Sequence, residues 1–164
     1  MQRQLFIIRH GKSSWESIVS DFDRPLTERG VKNAYEMADL LIKTDRVPEL
    51  LYSSPAARAL HTAVIMSREW DLTDDSLQIR SPLYLPEPDD IGKTLFEVPD
   101  EIRSVAVFGH NPGFTQFANR FSQERIENIP TAGVVIVTLE LESWTGLFDA
   151  RVVECTFEYP KKYK

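Results

Sequence analysis

The stretch that decides the fold is QLFIIRHGKSS, residues 4–14. Its first half is a short apolar run, partly β-branched, which is typical of a buried strand. The run stops at Arg9-His10-Gly11, a cation, an imidazole and the most flexible residue. Polar residues follow many strands where the chain reaches the surface, but the carboxyl ends of strands in α/β sheets are also where ligands bind. The rest of the sequence must decide between a surface end and an active site.

Length and composition indicate a globular protein. The 164 residues suit one domain, which we expect to span residues 1–164, with 42% apolar and 27% charged residues. A net charge of −6 disfavours nucleic acid or an anionic membrane as a partner. No run of about 18 apolar residues predicts a membrane span. Residues 1–20 do not form a secretory signal, and the single Cys155 cannot form an internal disulfide, so we expect a cytoplasmic location.

Hydrophobic periodicity predicts strands that alternate with helices. We expect strands at Gln4–Arg9, Leu50–Ser53, Gln78–Arg80, Ser104–Phe108, Val134–Leu141 and Leu147–Phe157. We expect helices at about Glu28–Ile42, Ala56–Trp70, Asp89–Glu97 and Phe114–Phe121. This alternation predicts a three-layer α/β/α fold with a mostly parallel central sheet. The last two strands follow one another closely and predict a C-terminal antiparallel hairpin.

Two of the three histidines share an unusual setting. His10 and His110 each follow an apolar strand and lie beside a glycine. Arg9 precedes the first, and Arg58 lies in the first turn of a helix, where the positive end of the dipole also attracts anions. Arginine presents a planar fork of donors that matches phosphate oxygens. These four residues predict a site for a phosphoryl group, whereas His61, beside no strand end, is expected to be structural or exposed.

The imidazole also suits covalent chemistry. A reference pKa of about 6.5 leaves histidine largely neutral at pH 7, and nearby arginine charge should lower the pKa further. A neutral ring nitrogen is a competent nucleophile. Gly11 would let the backbone come close to an oxyanion. The histidines are scattered, with no carboxylate at ligand spacing, and no glycine-rich nucleotide loop is present, so we expect neither a metal nor a cofactor.

Four segments together resemble the histidine phosphatase superfamily, also called phosphoglycerate mutase-like. They are RHGKS (9–13), RPLTERG (24–30), SSPAARALHTA (53–63) and FGHNPG (108–113). They occur in the family's order, and the resemblance covers roughly Leu5–Val137. It implies that His10 takes the phosphoryl group as a covalent phosphohistidine. The phosphoryl oxygens would then be bound by Arg9, Arg58 and His110.

The length of the chain bears on the branch of the family. Larger relatives roof the active site with long insertions, but Ser81–Val105 is too short for a lid domain. A phosphate ester needs a general acid, because its leaving group is an alkoxide. Relatives carry an acid directly after the second histidine or in an L-x-E pattern. Here those places hold Asn111 and Leu83-Tyr84-Leu85, and Glu87 comes two residues too late.

A better leaving group removes the need for an acid. The imidazole of phosphohistidine accepts a proton easily near neutral pH. The lidless, acid-poor members of the family are the SixA-type phosphohistidine phosphatases, and DRPLTERG, from Asp23 to Gly30, also resembles that branch. We therefore predict removal of phosphate from phosphohistidine on a partner protein, such as a histidine-phosphotransfer protein.

Two other functions remain open on the sequence alone. One is a phosphomonoesterase of the same superfamily, acting on a small phosphorylated metabolite or on a phosphoserine or phosphothreonine protein. The other is a non-catalytic module that binds phosphate or a phosphoprotein. The oligomeric state is open as well.

Several polar residues near the motifs have two interpretations each. Glu16 stands where mutase relatives carry Asn; it is either a solvated loop residue or an acid or orienting carboxylate for His10. Ser13 is a candidate hydroxyl donor to the phosphate. Asn111 either donates its amide to the phosphate or holds the turn that follows it. Asp21 is expected to brace the loop before the first helix.

Overall fold

The computed structural model describes residues 1–16 and 18–163. Its strands are β1 (Gln2–Arg9), β2 (Leu50–Ser53), β3 (Leu77–Ile79), β4 (Ser104–Gly109), β5 (Val134–Glu140) and β6 (Arg151–Glu158). Its α-helices are α1 (Glu28–Lys43), α2 (Ala57–Glu69), α3 (Pro88–Leu95) and α4 (Gly113–Ala118). Most bounds lie within two residues of those that the periodicity predicts.

The described strands form one sheet in the order β3-β2-β4-β1-β5-β6. The pairs β3–β2, β2–β4 and β4–β1 are parallel. The pairs β1–β5 and β5–β6 are antiparallel. The mostly parallel sheet and the C-terminal antiparallel hairpin are therefore confirmed.

Helices cover both faces of this sheet. Successive side chains of β1 point to opposite faces, so Leu5 and Ile7 join one hydrophobic core while Phe6 and Ile8 join the other. The first core contains residues of α3 and α4, and the second contains residues of α1 and α2. The predicted three-layer α/β/α arrangement is confirmed.

The first helix begins where the sequence places its cap. The side chain of Thr27 accepts a hydrogen bond from the Gly30 N–H at 3.0 Å, which satisfies one of the free amides of the first turn. Ala34, Met37, Ala38 and Leu41 recur on one face and are buried against the sheet. No helix in the described part of the chain is long and apolar enough to cross a membrane.

The predicted start of the last strand is wrong. Within Leu147–Phe157, the sheet begins only at Arg151, because the preceding Trp144–Asp149 segment is a 3-10 helix. Leu147, the first residue of the predicted strand, is 1% exposed and fills the core from this 3-10 helix, together with the fully buried Trp144. A strand would have alternated them between two faces.

The segment that could have formed a lid is short and packed. Residues 81–103 contain a 3-10 turn at Ser81–Leu83 and the eight residues of α3. Ile91 and Leu95 of α3 are fully buried in the core beside α4. The expectation of a fold without a lid domain is confirmed, and this segment does not form a domain over the ends of β1 and β4.

Candidate active site

The ends of β1 and β4 bring two histidines together. Because the two strands are parallel neighbours, Arg9 pairs with Gly109 across the ladder. The His10 N–H donates to the Gly109 carbonyl at 3.1 Å. The imidazole rings of His10 and His110 then lie with their centroids 5.3 Å apart. Strand register alone therefore places both imidazoles at one edge of the sheet.

One ring nitrogen of His10 is free to react. Its Nδ1 lies 2.6 Å from the Gly11 carbonyl oxygen. A carbonyl can only accept, so Nδ1 carries the hydrogen and Nε2 carries the lone pair. The Nε of Arg58 donates towards Nε2 at 3.4 Å, in agreement with this tautomer. His10 is only 6% exposed, and its orientation is fixed. The geometry leaves Nε2 as the ring nitrogen with the lone pair that a nucleophile needs.

Both histidines are held neutral. The pKa of His10 is lowered to about 4, chiefly by burial; the hydrogen bond to Gly11 opposes this shift, and the charges of Arg58, Arg9 and Arg24 add to it. Burial, then His10 and Arg58, lower the pKa of His110 to about 3. The arginine effect expected from the sequence is present, but burial is the larger cause. At pH 7 each ring has one lone pair.

One ring nitrogen of His110 has no hydrogen-bond partner among the described residues. Its Nε2 lies 2.8 Å from the Ser54 hydroxyl, which itself accepts from the Ala56 N–H at 3.2 Å. In the tautomer in which Ser54 donates, the ring hydrogen is on Nδ1. That atom is buried and has no hydrogen-bond partner among the described residues. A buried donor without a partner is suited to bind a ligand oxygen.

The two predicted arginines are both anchored, and each keeps donors for a ligand. Arg58 is 3% exposed, and its Nη1 and Nη2 donate to the backbone carbonyl and the carboxylate of Asp21 at 2.6 and 3.0 Å. Arg9 donates from Nη1 to the Ile129 carbonyl at 2.9 Å, while its Nε is buried without a partner among the described residues. Each guanidinium has five N–H groups, so several remain for phosphoryl oxygens.

A third arginine belongs to the same cluster, and the sequence analysis missed it. Arg24 is 7% exposed and donates to the Asp21 carboxylate at 2.9 Å and to the Ser13 hydroxyl. Its guanidinium stacks on the ring of Trp15, 3.3 Å from the centroid. Since Ser13 accepts from Arg24, its own hydrogen stays available as a donor. The available signal was the RPLTERG segment, which begins with Arg24.

These residues surround a cleft of about 330 Å³. Both histidines line it, together with the cations Arg9, Lys12, Arg24 and Arg58. No carboxylate lines it among the residues that the structure describes. A larger groove of about 960 Å³ lies between residues 121–130 and β6, and it contains none of the four predicted residues. The smaller cleft has the chemistry of an oxyanion site.

Two predicted phosphate contacts need correction. The Gly11 N–H donates to Thr62 Oγ1 at 3.0 Å and is not free for an oxyanion. Glycine is needed there for packing, because a Cβ would lie 2.8 Å from the Gly30 carbonyl oxygen. The amide of Asn111 is fully used within the fold: its nitrogen donates at 2.9 and 3.0 Å to residues 128 and 129, and its oxygen accepts twice from Thr115. Its role is to hold the turn.

The carboxylate at the site is not the one that the sequence singled out. Glu16 is exposed, its backbone N–H bonded to the Ser14 hydroxyl, and it is not among the described residues that line the cleft. Asp21, expected only to brace a loop, binds Arg58 and Arg24. His61 is exposed on α2. Within residues 1–16 and 18–163, no group of three or more His, Cys, Asp or Glu side chains is arranged to hold a metal ion.

Sequence comparison assigns the motifs to a known family. Residues 5–80 match the model of the histidine phosphatase superfamily (branch 1), a range that contains Arg9, His10 and Arg58. An uncharacterised chloroplast protein of Arabidopsis thaliana is 27% identical over 159 residues, which cover 90% of this chain and 72% of that protein.

Solved structures match nearly the whole chain. A putative phosphohistidine phosphatase SixA from Nakamurella multipartitia superposes with a TM-score of 0.81 at 22% identity, covering 98% of both chains. A protein histidine phosphatase SixA complexed with tungstate superposes with a TM-score of 0.79 at 22% identity, covering 98% of this chain and 99% of that one. At this identity the likeness establishes the fold, including the part that lies beyond residue 80.

Proposed function

We propose that this chain, whose residues 5–80 match the model of the histidine phosphatase superfamily, acts as a member of that superfamily and removes phosphate from phosphohistidine on a partner protein. The proposed reaction has two steps with His10 as the covalent carrier. This splits one difficult displacement into two easier ones. Arg9, Arg58 and His110 bind the phosphoryl oxygens throughout, and no group outside the chain is required.

In the first step, the lone pair of His10 Nε2 attacks phosphorus. A new P–N bond forms to His10 as the P–N bond of the substrate breaks, and the leaving imidazole recovers its electron pair and takes a proton from solvent. Arg9 and Arg58 stabilise the negative charge that spreads over the equatorial oxygens. The bond from His10 Nδ1 to the Gly11 carbonyl stabilises the positive charge that develops on the ring.

In the second step, a water oxygen attacks the phosphorus atom that is bonded to His10 Nε2. The P–N bond to His10 breaks, its electron pair returns to Nε2, and the water oxygen completes inorganic phosphate. The proton that water loses goes to solvent or to the phosphate. Because burial holds the pKa of His10 at about 4, the ring returns to its neutral form and is ready for another turnover.

The observation that carries the choice of substrate is the lack of a carboxylic acid that could donate a proton to the leaving group. No carboxylate lines the described cleft, and Asp21, which pairs with two of its arginines, is kept ionised. Partial burial acts to raise its pKa, but hydrogen bonds from Tyr84 and Arg58 and the charge of Arg58 prevail and lower it. An ionised carboxylate cannot protonate an alkoxide. An imidazole leaving group has no such need, because its nitrogen is basic near neutral pH.

The shape of the site supports a protein as the carrier of the phosphoryl group. The cleft lies open, without a lid domain above it. Two exposed apolar side chains, Trp15 and Leu85, line it at 77% and 55% exposure. Exposed apolar groups at the rim of a polar cleft fit a protein surface better than a small polar metabolite.

A cytoplasmic location stays a prediction from the lone cysteine.

The test is a comparison of substrate classes on the same enzyme preparation. A phosphohistidine protein, phosphoramidate and a panel of phosphomonoesters are assayed side by side for kcat/KM. We expect the two P–N substrates to exceed alkyl phosphates by about 10²-fold or more, the typical contribution of the general acid that the site lacks. Equal or faster turnover of alkyl phosphates would favour the metabolite phosphatase. Binding without turnover of any substrate would favour the non-catalytic module.

A further inference from the structure

Asp21 binds Arg58 through two separate groups, its backbone carbonyl and its side-chain carboxylate. The backbone carbonyl of Asp21 accepts from Arg58 Nη1 at 2.6 Å, and its Oδ2 accepts from Arg58 Nη2 at 3.0 Å. The same Oδ2 accepts from the Tyr84 hydroxyl at 2.8 Å. Its other oxygen, Oδ1, accepts from Arg24 Nη1 at 2.9 Å. Every oxygen of Asp21 is therefore bonded to a group at the cleft.

This arrangement fixes the direction of the Arg58 side chain. With both Nη atoms bound to Asp21, the guanidinium plane cannot rotate, and its Nε is left 3.4 Å from His10 Nε2. Asp21 is itself fixed by Tyr84, whose ring meets the ring of His110 edge-on with centroids 5.4 Å apart. Asp21 thus binds Arg58 of α2, which contacts His10, and Tyr84 of the segment after β3, which contacts His110.

Asp21 also sets the charge of the cleft. Four cations line it, while both histidines are neutral. Asp21 is the acidic group that the structure pairs with two of them, Arg24 and Arg58. Without its charge, these two guanidinium groups would attract an anion more strongly. An excess of attraction would slow a phosphatase, because inorganic phosphate must leave after every turnover.

We propose that Asp21 is a positioning residue that orients Arg58 towards His10 and weakens the hold of the cleft on free phosphate. The proposal rests on the proposed function, since it concerns the same phosphoryl site. It differs from a purely structural role in one respect. Loss of a structural brace would weaken both catalysis and anion binding, whereas loss of Asp21 should weaken catalysis and strengthen anion binding.

The experiment uses Asp21→Asn, which keeps the size of the side chain and removes its charge. Two quantities are measured: kcat with phosphoramidate, and the Kd of tungstate by titration calorimetry. We expect kcat to fall about 10- to 100-fold, as for a misplaced catalytic group. We expect the Kd of tungstate to fall about three- to tenfold, because two arginines lose a compensating charge.

A neighbouring residue supplies the matched control. Asp23 belongs to the same 3-10 turn, but its carboxylate accepts from the Ser20 hydroxyl at 3.0 Å rather than from an arginine. Asp23→Asn should leave kcat and the Kd of tungstate within about twofold of the wild-type values. A second variant, Tyr84→Phe, removes one hydrogen bond to Asp21 and keeps its charge. It should lower kcat about fivefold, the worth of one modest hydrogen bond, and leave the Kd of tungstate unchanged.

Each outcome decides the matter. Unchanged kcat in both Asp21→Asn and Tyr84→Phe would overturn the positioning role. Weaker tungstate binding in a folded Asp21→Asn variant would overturn the charge role and leave Asp21 a brace. If Asp21→Asn does not fold, the kcat of Tyr84→Phe decides the positioning role in its place, and an unchanged kcat overturns it. A wild-type enzyme that hydrolyses none of the substrate classes would instead refute the proposed function, and the calorimetric Kd would still report on the charge.

Discussion

The imidazole rings of His10 and His110 lie with their centroids 5.3 Å apart, at the adjacent ends of β1 and β4. The contact follows from the parallel pairing of the two strands, because parallel neighbours end at the same edge of a sheet. One ring presents a lone pair at Nε2, and the other keeps a buried nitrogen without a partner among the described residues. Strand register and local hydrogen bonds thus bring together a ring nitrogen with a lone pair and a ring nitrogen without a partner.

The rings of His10 and His110 should stay neutral at pH values well below the usual pKa of histidine. Because burial and nearby arginines lower the pKa of His10 to about 4 and that of His110 to about 3, neither ring should protonate between pH 7 and pH 5. Ring-nitrogen chemical shifts of protein labelled in histidine measure this directly, with His10→Asn used to assign the signals. A His10 ring that titrates near pH 6.5 would show that the site is more open than the structure indicates.

The same shifts predict an acid-sensitive fold. A ring with a depressed pKa in the folded state binds protons more readily when unfolded, so the free energy of unfolding falls as the pH drops from 6.5 towards 4. For His10 the loss is on the order of 3 kcal/mol over that window. Urea titrations at several pH values measure it. His10→Asn should flatten the slope between pH 6.5 and pH 4, and an unchanged slope would contradict the burial of this group.

Arg58 should matter for both binding and rate. Arg58→Ala removes the guanidinium next to His10 Nε2 and leaves Asp21 without one of its cations. We expect kcat with phosphoramidate to fall about 10²- to 10³-fold, as for the loss of one charge-stabilising donor. Arg68→Ala is the control, since Arg68 is exposed on the same helix. Equal effects of the two substitutions would mean that Arg58 acts through the helix and not through the phosphoryl group.

A substitution of Asn111 distinguishes a structural role of its amide from a role in binding phosphate. Its amide joins the turn after β4 to residues 128 and 129 and to Thr115. Asn111→Ala should therefore lower the free energy of unfolding by about 1–3 kcal/mol, the cost of leaving buried partners unpaired. The Kd of tungstate should change less than about threefold, because the amide has no donor left for an anion. A large loss of tungstate affinity with full stability would restore the phosphate contact.

Sequence reasoning succeeded where a local pattern decides the structure. The apolar run before Arg9, the Thr27 cap and the strand before His110 each specify an element and its end without reference to distant residues. The alternation of such elements is enough to predict parallel pairing. Parallel pairing then brings the two strand ends together, which is why the sequence is enough to predict that the two histidines lie close to each other.

Sequence reasoning failed where the role of a residue depends on a contact with a distant part of the chain. Asp21 becomes part of the site only because α2 carries Arg58 up to its loop, and nothing near Asp21 in the chain indicates that meeting. Asn111 was assigned two roles because the residues that use up its amide lie 17 and 18 positions later. Leu147 was assigned to a strand because a residue buried in a 3-10 helix has the same apolar character as one buried in a strand.

The central claim is tested most directly by trapping the phosphorylated enzyme. The protein is mixed with ³²P-labelled substrate and quenched in alkali within milliseconds, and the labelled peptide is identified by mass spectrometry. The account predicts a label on Nε2 of His10 that is stable in alkali and lost in acid, and no label in His10→Ala. A label on any other residue, or steady turnover by His10→Ala at the wild-type rate, would contradict it.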